Sequence, residues 1–355
     1  MTFNLTLCFL FITIIFNCFS PIDSTLQFVN VVLRHGDRTP LPQYEMYPND
    51  PHKNHTFDPP GYGLLTQSGE IRASKLGVNL WKQYSEFLGN DYVQGSIEAR
   101  STDSNRTKES LNLLLKALYP NNIIEYTYQP LLNDTLLYPS LCKLYSEKYY
   151  QVLNMTEVKR YVAQFNVFMQ YLSLWTGKKI ESLLDVALIS GTLDIERYMG
   201  LELPEWTKDV YPDGDMRIVV NAYYKIMNYD VEIRRRNGGM LIRKFTEDMD
   251  AVRYGTMDKK RKLMLYSTHD LTVAAVLNAL KVYHLHAPQF SSAVIVELHL
   301  IDKVYYVKVL YYLGDPEKTI ELQIPNCNLL CPLDQFKNLT KEIIPSDFEY
   351  NCGNV

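Results

Sequence analysis

The chain has 355 residues, of which 46% are hydrophobic, 21% charged and 12% aromatic, including 27 tyrosines. That balance excludes a disordered or low-complexity chain and supplies the material for one large domain or two ordinary ones. A formal charge of −4 argues against a nucleic-acid partner, because such proteins carry a basic excess to meet phosphate backbones.

The first predicted element is an address. Leu5 to Phe19 is apolar except for Thr6, Thr13 and Asn17. At about 1.5 Å per residue it falls short of a ~30 Å hydrocarbon core, so it reads as a signal peptide over residues 1–24. Its removal takes Cys8, Cys18 and the charged Asp23, leaving a net charge of −3. Nothing later reads as a membrane anchor, and the mature chain is expected to be secreted and extracellular. Its four cysteines, Cys142, Cys327, Cys331 and Cys352, allow two disulfides in three pairings. Cys327 and Cys331 share a turn-rich stretch with Pro325 and Pro332, which suits a local bridge and leaves Cys142 for Cys352. Glycosylation sequons begin at Asn54, Asn105, Asn133, Asn154 and Asn338. Glycans are expected at all of them but Asn105, expected to be buried at a helix start and unused.

Three strands run into cationic corners. Phe28–Leu33 (FVNVVL) reads as a strand buried on both faces, entering Arg34-His35-Gly36-Asp37-Arg38-Thr39-Pro40. Six prolines between Pro40 and Pro60 predict a long ordered loop near the pocket mouth; His52 and His55 within it read as solvated rather than metal-binding. Leu76, Leu80, Tyr84 and Leu88 mark a helix. The second strand, Ser96–Ala99, enters Arg100-Ser101-Thr102-Asp103, and a helix follows with Leu111, Leu114, Leu115 and Leu118 on one face.

From about 126 to 250 the pattern turns helical, as in a domain inserted between α/β segments 25–125 and 251–355. Val158, Tyr161, Val162, Phe165, Phe168, Met169 and Leu172 form one stripe between Thr156 and Gly177. Another helix is expected to end at Asn237-Gly238-Gly239, with Arg234-Arg235-Arg236 as a solvated helix end. The third strand, Lys262–Tyr266, enters Ser267-Thr268-His269-Asp270 and a helix bearing Val273, Val276, Leu277 and Leu280. His284-x-His286 lacks the companion motifs of a dinuclear metal site. Val294–Leu300 and Val304–Tyr312 predict a closing hairpin around Asp302-Lys303.

In open α/β sheets a ligand sits beyond the carboxyl ends of the strands, at helix N-termini. Three such corners gather Arg34, His35, Arg38, Arg100, His269 and Asp270. Singly, Arg-His-Gly reads as a surface loop and His-Asp as a capping pair; together they suit a compact dianion, because the guanidinium fork matches phosphate oxygens in pairs. Neighbouring guanidiniums would keep an imidazole unprotonated and able to attack phosphorus. Asp270 could protonate the leaving alkoxide and then deprotonate water.

Arg34–Pro40 (RHGDRTP) and the distal His269-Asp270 resemble the signature of the histidine acid phosphatase family. Ala99–Thr107 (ARSTDSNRT), Gly61–Glu70 (GYGLLTQSGE) and Cys327-x-x-x-Cys331-Pro332-Leu333 extend the resemblance over nearly the whole mature chain. It implies an α/β fold with a mixed, mainly parallel sheet flanked by helices and an inserted, mostly helical cap. It implies hydrolysis of small-molecule phosphomonoesters at acid pH without metal or other cofactor. His35 would be the nucleophile and Asp270 the proton donor, with Arg34, Arg38, Arg100 and His269 on the phosphate. The same two disulfides are implied; mammalian relatives carry a third, for which this chain has too few cysteines. A homodimer stays open. So do a phytase-like specialisation and a secreted binding or venom component with weak activity.

Overall fold

A computed structural model describes residues 25–353; the expected signal peptide lies outside the described residues. The chain opens with β1 (Leu26–Arg34), α1 (Gln67–Leu88), β2 (Ile97–Ser101), α2 (Asn105–Leu118) and the short β3 (Thr127–Tyr128). Helices follow: α3 (Lys143–Asn154), α4 (Thr156–Ala163), α5 (Asn166–Thr176), α6 (Leu183–Tyr198), α7 (Asp215–Ile226), α8 (Val231–Arg235) and α9 (Gly238–Arg253). The chain returns with β4 (Leu263–Thr268), α10 (Asp270–Ala279), β5 (Ala293–Ile301), β6 (Val304–Tyr312), β7 (Thr319–Leu322) and β8 (Cys331–Pro332). It closes with α11 (Leu333–Thr340) and α12 (Asp347–Tyr350).

The strand order β3-β2-β4-β1-β5-β6-β7, with β8 on β6, makes a mixed sheet. Strands β3, β2, β4 and β1 run parallel, whereas β5, β6 and β7 alternate in direction. The predicted hairpin is present: Ile301 pairs with Val304 across Asp302-Lys303, whose φ values of 48° and 67° suit a tight two-residue turn. The unbroken apolar run of β1 follows from cover on both faces. Val29, Val31 and Leu33 pack with Leu76, Leu80, Leu111 and Leu114 of α1 and α2. Phe28 and Val32 pack on the opposite face with Phe245 and Met249 of α9 and Val273 of α10.

Helices α3 to α7 build a separate core around Val152, Leu172, Val186, Ile189 and Val219. The helical stretch read as 126–250 therefore divides, because α9 covers the sheet and β3 pairs with β2. The stripe from Thr156 to Gly177 is two helices rather than one. Gln164 and Phe165 bond back to Tyr161 and Val162, three residues away, and this tightened turn ends α4. Asn237-Gly238-Gly239 is also a joint: α8 stops at Arg235 and Gly238 begins α9. A Cβ on Gly238 would lie 2.0 Å from the Ala275 carbonyl oxygen, so glycine permits the close crossing of α9 over α10. The arginines before it are not solvated alone: Arg235 and Arg236 both reach Glu349 at 3.2 Å.

Both disulfides join cysteines with Cα atoms 5.5 Å apart, Cys142 to Cys352 and Cys327 to Cys331. The first spans 210 residues and ties the C-terminal segment to the start of α3. Among the described residues, no helix is long and apolar enough to cross a membrane. In the chain-entropy picture the long loop restricts the unfolded chain by about 5 kcal/mol and the four-residue loop by about 2 kcal/mol. The double variant Cys142→Ala/Cys352→Ala should therefore lose more stability in urea titration than Cys327→Ala/Cys331→Ala.

Candidate active site

Register brings the corners together. Arg34 pairs with Thr268 across β1 and β4, so both strands run out at one level, and the His35 N–H donates to the Thr268 carbonyl at 3.1 Å. His269 caps α10, whose first residue is Asp270. On the other side, the Gly36 N–H donates to Ser110 Oγ of α2 at 2.9 Å. Helix α1 presses on the same loop at Gly69, where a Cβ would lie 2.0 Å from the Asp37 carbonyl oxygen. Loop and helix touch backbone to backbone.

His35 is only 3% exposed. Its Nδ1 lies 2.8 Å from the Gly36 carbonyl oxygen, and its Nε2 lies 3.2 Å from Nε of Arg106. A guanidinium can only donate, so Nε2 is the acceptor and the ring proton sits on Nδ1, bonded to Gly36. Burial, then the charges of Arg106, His269, Arg34 and Arg38, hold the His35 imidazole well below its ordinary range. Burial and Arg106, Arg38 and Arg34 do the same to His269, whose ring centre lies 5.4 Å from that of His35. His269 Nε2 is 3.1 Å from Thr102 Oγ1, a link between the β4 and β2 corners.

The guanidiniums are held by their ends. Arg34 donates through Nη1 to the Pro288 carbonyl at 2.6 Å, pairs through Nη2 with Asp270 at 3.1 Å, and lies 3.8 Å from the Phe290 ring centre. Arg38 donates through Nη1 to Glu45 at 2.7 Å and to the Thr39 carbonyl at 3.1 Å, while its Nη2 meets the other Glu45 oxygen. Among the described residues, Nε of both arginines is buried without a partner. Arg106 makes no salt bridge among the described residues; burial, then the charge of Arg38, brings its pKa down to about 10. Asp270, at 29% side-chain exposure, stands on the open side.

Of the residues predicted from sequence, Arg34, His35, Arg38, His269 and Asp270 come together and Arg100 does not. Arg100 lies within β2, opposite Tyr266, short of the strand end. It pairs with the fully buried Asp134 at 2.5 Å and lines an open polar cavity with Gln129 and Asn133. Arg106, six residues on, takes the place expected for it. Its signal was available: it is the second residue of α2, where the helix dipole disfavours a cation unless an anion is also bound. Asn105 also departs from expectation, since it is exposed at the start of α2 rather than buried. The asparagines of the other sequons, Asn54, Asn133, Asn154 and Asn338, are exposed as well.

The proline-rich loop lies against α6. Thr192 Oγ1 donates to the Glu45 carbonyl at 2.6 Å, and Asp50 and Glu196 are buried together. Burial and the neighbouring Asp50 push Glu196 up to about 8, so this carboxyl pair holds a proton in mild acid. Three other histidines serve local structure: His52 bonds the Glu202 carbonyl, His55 packs on Phe57 and His286 bonds Tyr311.

A mixed α/β sheet with an imidazole set among guanidiniums at its strand ends defines an enzyme built to hold a phosphoryl group. The chain belongs to the histidine phosphatase superfamily (branch 2), matched over residues 25–141 and 138–312. It is 38% identical to the venom acid phosphatase of Apis mellifera, over 93% of this chain and 88% of that protein. It is 29% identical to the prostatic acid phosphatase of Homo sapiens, over 98% of this chain and 93% of that one. The fold is also that of the Hafnia alvei phytase solved with myo-inositol hexakis sulphate. That match has a TM-score of 0.72 at 16% identity, over 94% of this chain and 99% of that one.

The two arginines separate in a simple comparison. Arg106→Ala should lower kcat/KM by about 10²-fold or more, the scale for losing a donor to developing charge. Arg100→Ala should keep activity but cost ~3 kcal/mol of stability, because it strands the buried Asp134. Steady-state kinetics with urea denaturation checks both.

Proposed function

We propose that this acid phosphatase of the histidine type hydrolyses phosphoric monoesters through a phosphohistidine on His35. The observation that carries the reading is the contact between Arg106 and His35 Nε2, which leaves that nitrogen unprotonated beside three guanidiniums. The phosphate group would lie over Nε2, its oxygens meeting Arg106, His269 and the unspent Nε donors of Arg34 and Arg38. Arg106 would move its bond from the imidazole to the stronger phosphate acceptor, freeing the lone pair.

The Nε2 lone pair then forms a bond to phosphorus as the ester P–O bond breaks. The departing oxygen takes its proton from the carboxyl of Asp270, which is then a carboxylate. A water gives a proton to Asp270 and attacks phosphorus; the P–N bond breaks, its electron pair returns to Nε2, and orthophosphate leaves. Three guanidiniums neutralise the dianion throughout, in a pocket where burial strengthens each interaction. The apolar leader and the two disulfides support export of the chain to an oxidising, extracellular location.

Alkaline quench with ³²P-labelled p-nitrophenyl phosphate should trap an alkali-stable, acid-labile adduct on His35. His35→Ala should abolish that adduct and nearly all turnover; retained turnover would refute the nucleophile. Asp270→Asn should slow alkyl phosphates, which need a proton on the leaving oxygen, far more than p-nitrophenyl phosphate. Equal losses on both substrates would count against the acid role.

The pH dependence has a definite sign. A lowered pKa keeps His35 neutral as the medium acidifies, so the acid limb of kcat/KM should fall below the ordinary imidazole value of about 6.5. A His35-controlled limb at 6.5 in a pH–rate profile would contradict the described burial.

A further inference from the structure

Glu45 belongs to no motif in the sequence, yet it holds a guanidinium of the phosphate pocket. It sits in the proline-rich loop, and its side chain is only 5% exposed. Its two oxygens take both terminal nitrogens of Arg38, and Oε2 also accepts the Leu41 N–H at 2.6 Å. Nη1 of Arg38 is fully spent, with Thr39 as its second acceptor. What is left on Arg38 is one edge of the fork, Nε–H and the second Nη2–H, and Nε is buried with no partner among the described residues. Two parallel donors on one edge are what a phosphate takes from an arginine side-on.

The loop is tied to the helical cap at the same point. Thr192 of α6 donates to the Glu45 backbone carbonyl at 2.6 Å, and a Cβ on the preceding Gly191 would lie 4.0 Å from Glu45 Oε1. We propose that Glu45 is a positioning residue for phosphate binding: it grips the far end of Arg38, presents the Nε–Nη2 edge to the substrate, and links that presentation to helix α6. This rests on the phosphate-binding reading given above. It adds a buried carboxylate that repels phosphate by charge but fixes the donor that phosphate needs, so the geometric effect must exceed the electrostatic one.

The test uses Glu45→Gln, which keeps the shape and removes the charge, and Glu45→Ala, with Tyr44→Ala on the same loop as a control. The readouts are KM and kcat for p-nitrophenyl phosphate and the inhibition constant of inorganic phosphate. Both Glu45 variants should weaken phosphate and raise KM together by about tenfold, the scale of one charge-assisted hydrogen bond, with a much smaller change in kcat. Thr192→Val should move the same two constants in the same direction by less, and Tyr44→Ala should move neither. If Glu45→Ala fails to fold, Glu45→Gln decides alone. Unchanged or tighter phosphate binding in a folded Glu45→Gln protein would overturn the proposal, provided the unsubstituted enzyme is active. An inactive unsubstituted enzyme would instead refute the phosphatase reading itself.

Discussion

The structure depends on one constraint: three guanidiniums and two imidazoles must share a buried pocket with few carboxylates. Desolvating that much positive charge is costly. The fold answers in three ways. Terminal nitrogens of Arg34 and Arg38 are given acceptors in Pro288, Asp270, Thr39 and Glu45. Both histidines stay neutral, so they add no charge. Among the described residues Arg106 alone of the three has no carboxylate partner, and it leans on the Nε2 lone pair of His35. A bound dianion would offset the three guanidinium charges at once, which is the physical basis of the phosphate reading.

The scaffold keeps this arrangement from relaxing. The pocket forms where β1 and β4 end side by side, and those strands are buried on both faces by separate helical layers. Glycine-to-backbone contact at Gly69 fixes the loop after β1, and the 3.1 Å bond from Ser291 N–H to the His35 carbonyl fixes it from the β5 side. Both ring nitrogens of His35 are also held, Nδ1 by the Gly36 carbonyl and Nε2 by Arg106.

Much of this was legible in the sequence because the relevant signals are local. An unbroken apolar run marks a strand covered on both faces, and β1 and β4 follow that rule. The leucine stripes of α1 and α2 and the Asp302-Lys303 turn also depend only on near neighbours. The failures depend on distant ones. Choosing Arg106 over Arg100 required knowing where β2 ends and that Asp134, far along the chain, claims Arg100. The continuous stripe from Thr156 to Gly177 hid a break because two short helices can share one apolar face. Helix α9 reads as cap by position but packs as sheet cover, a fact of tertiary contact alone. Glu45 was invisible for the same reason: its partner Arg38 is near in sequence, but the burial that gives the pair its force comes from α6.

The division of labour between the two halves of the site follows from exposure. His35 and His269 are buried, whereas Asp270 is partly open at the rim. On the proposed reading, the phosphoryl group would be enclosed beside the two imidazoles and the leaving group would lie toward solvent, past Asp270. Such an arrangement would select strictly for phosphate and weakly for what is attached to it. Discrimination among monoesters would then fall to surfaces outside the cationic pocket. The loop from Pro40 to Pro60, held on α6, is the segment that both reaches the pocket, through Glu45 and Arg38, and contacts the cap. The strand ends set the pocket, and that loop couples it to the cap, because a shift of Glu45 would reach Arg38.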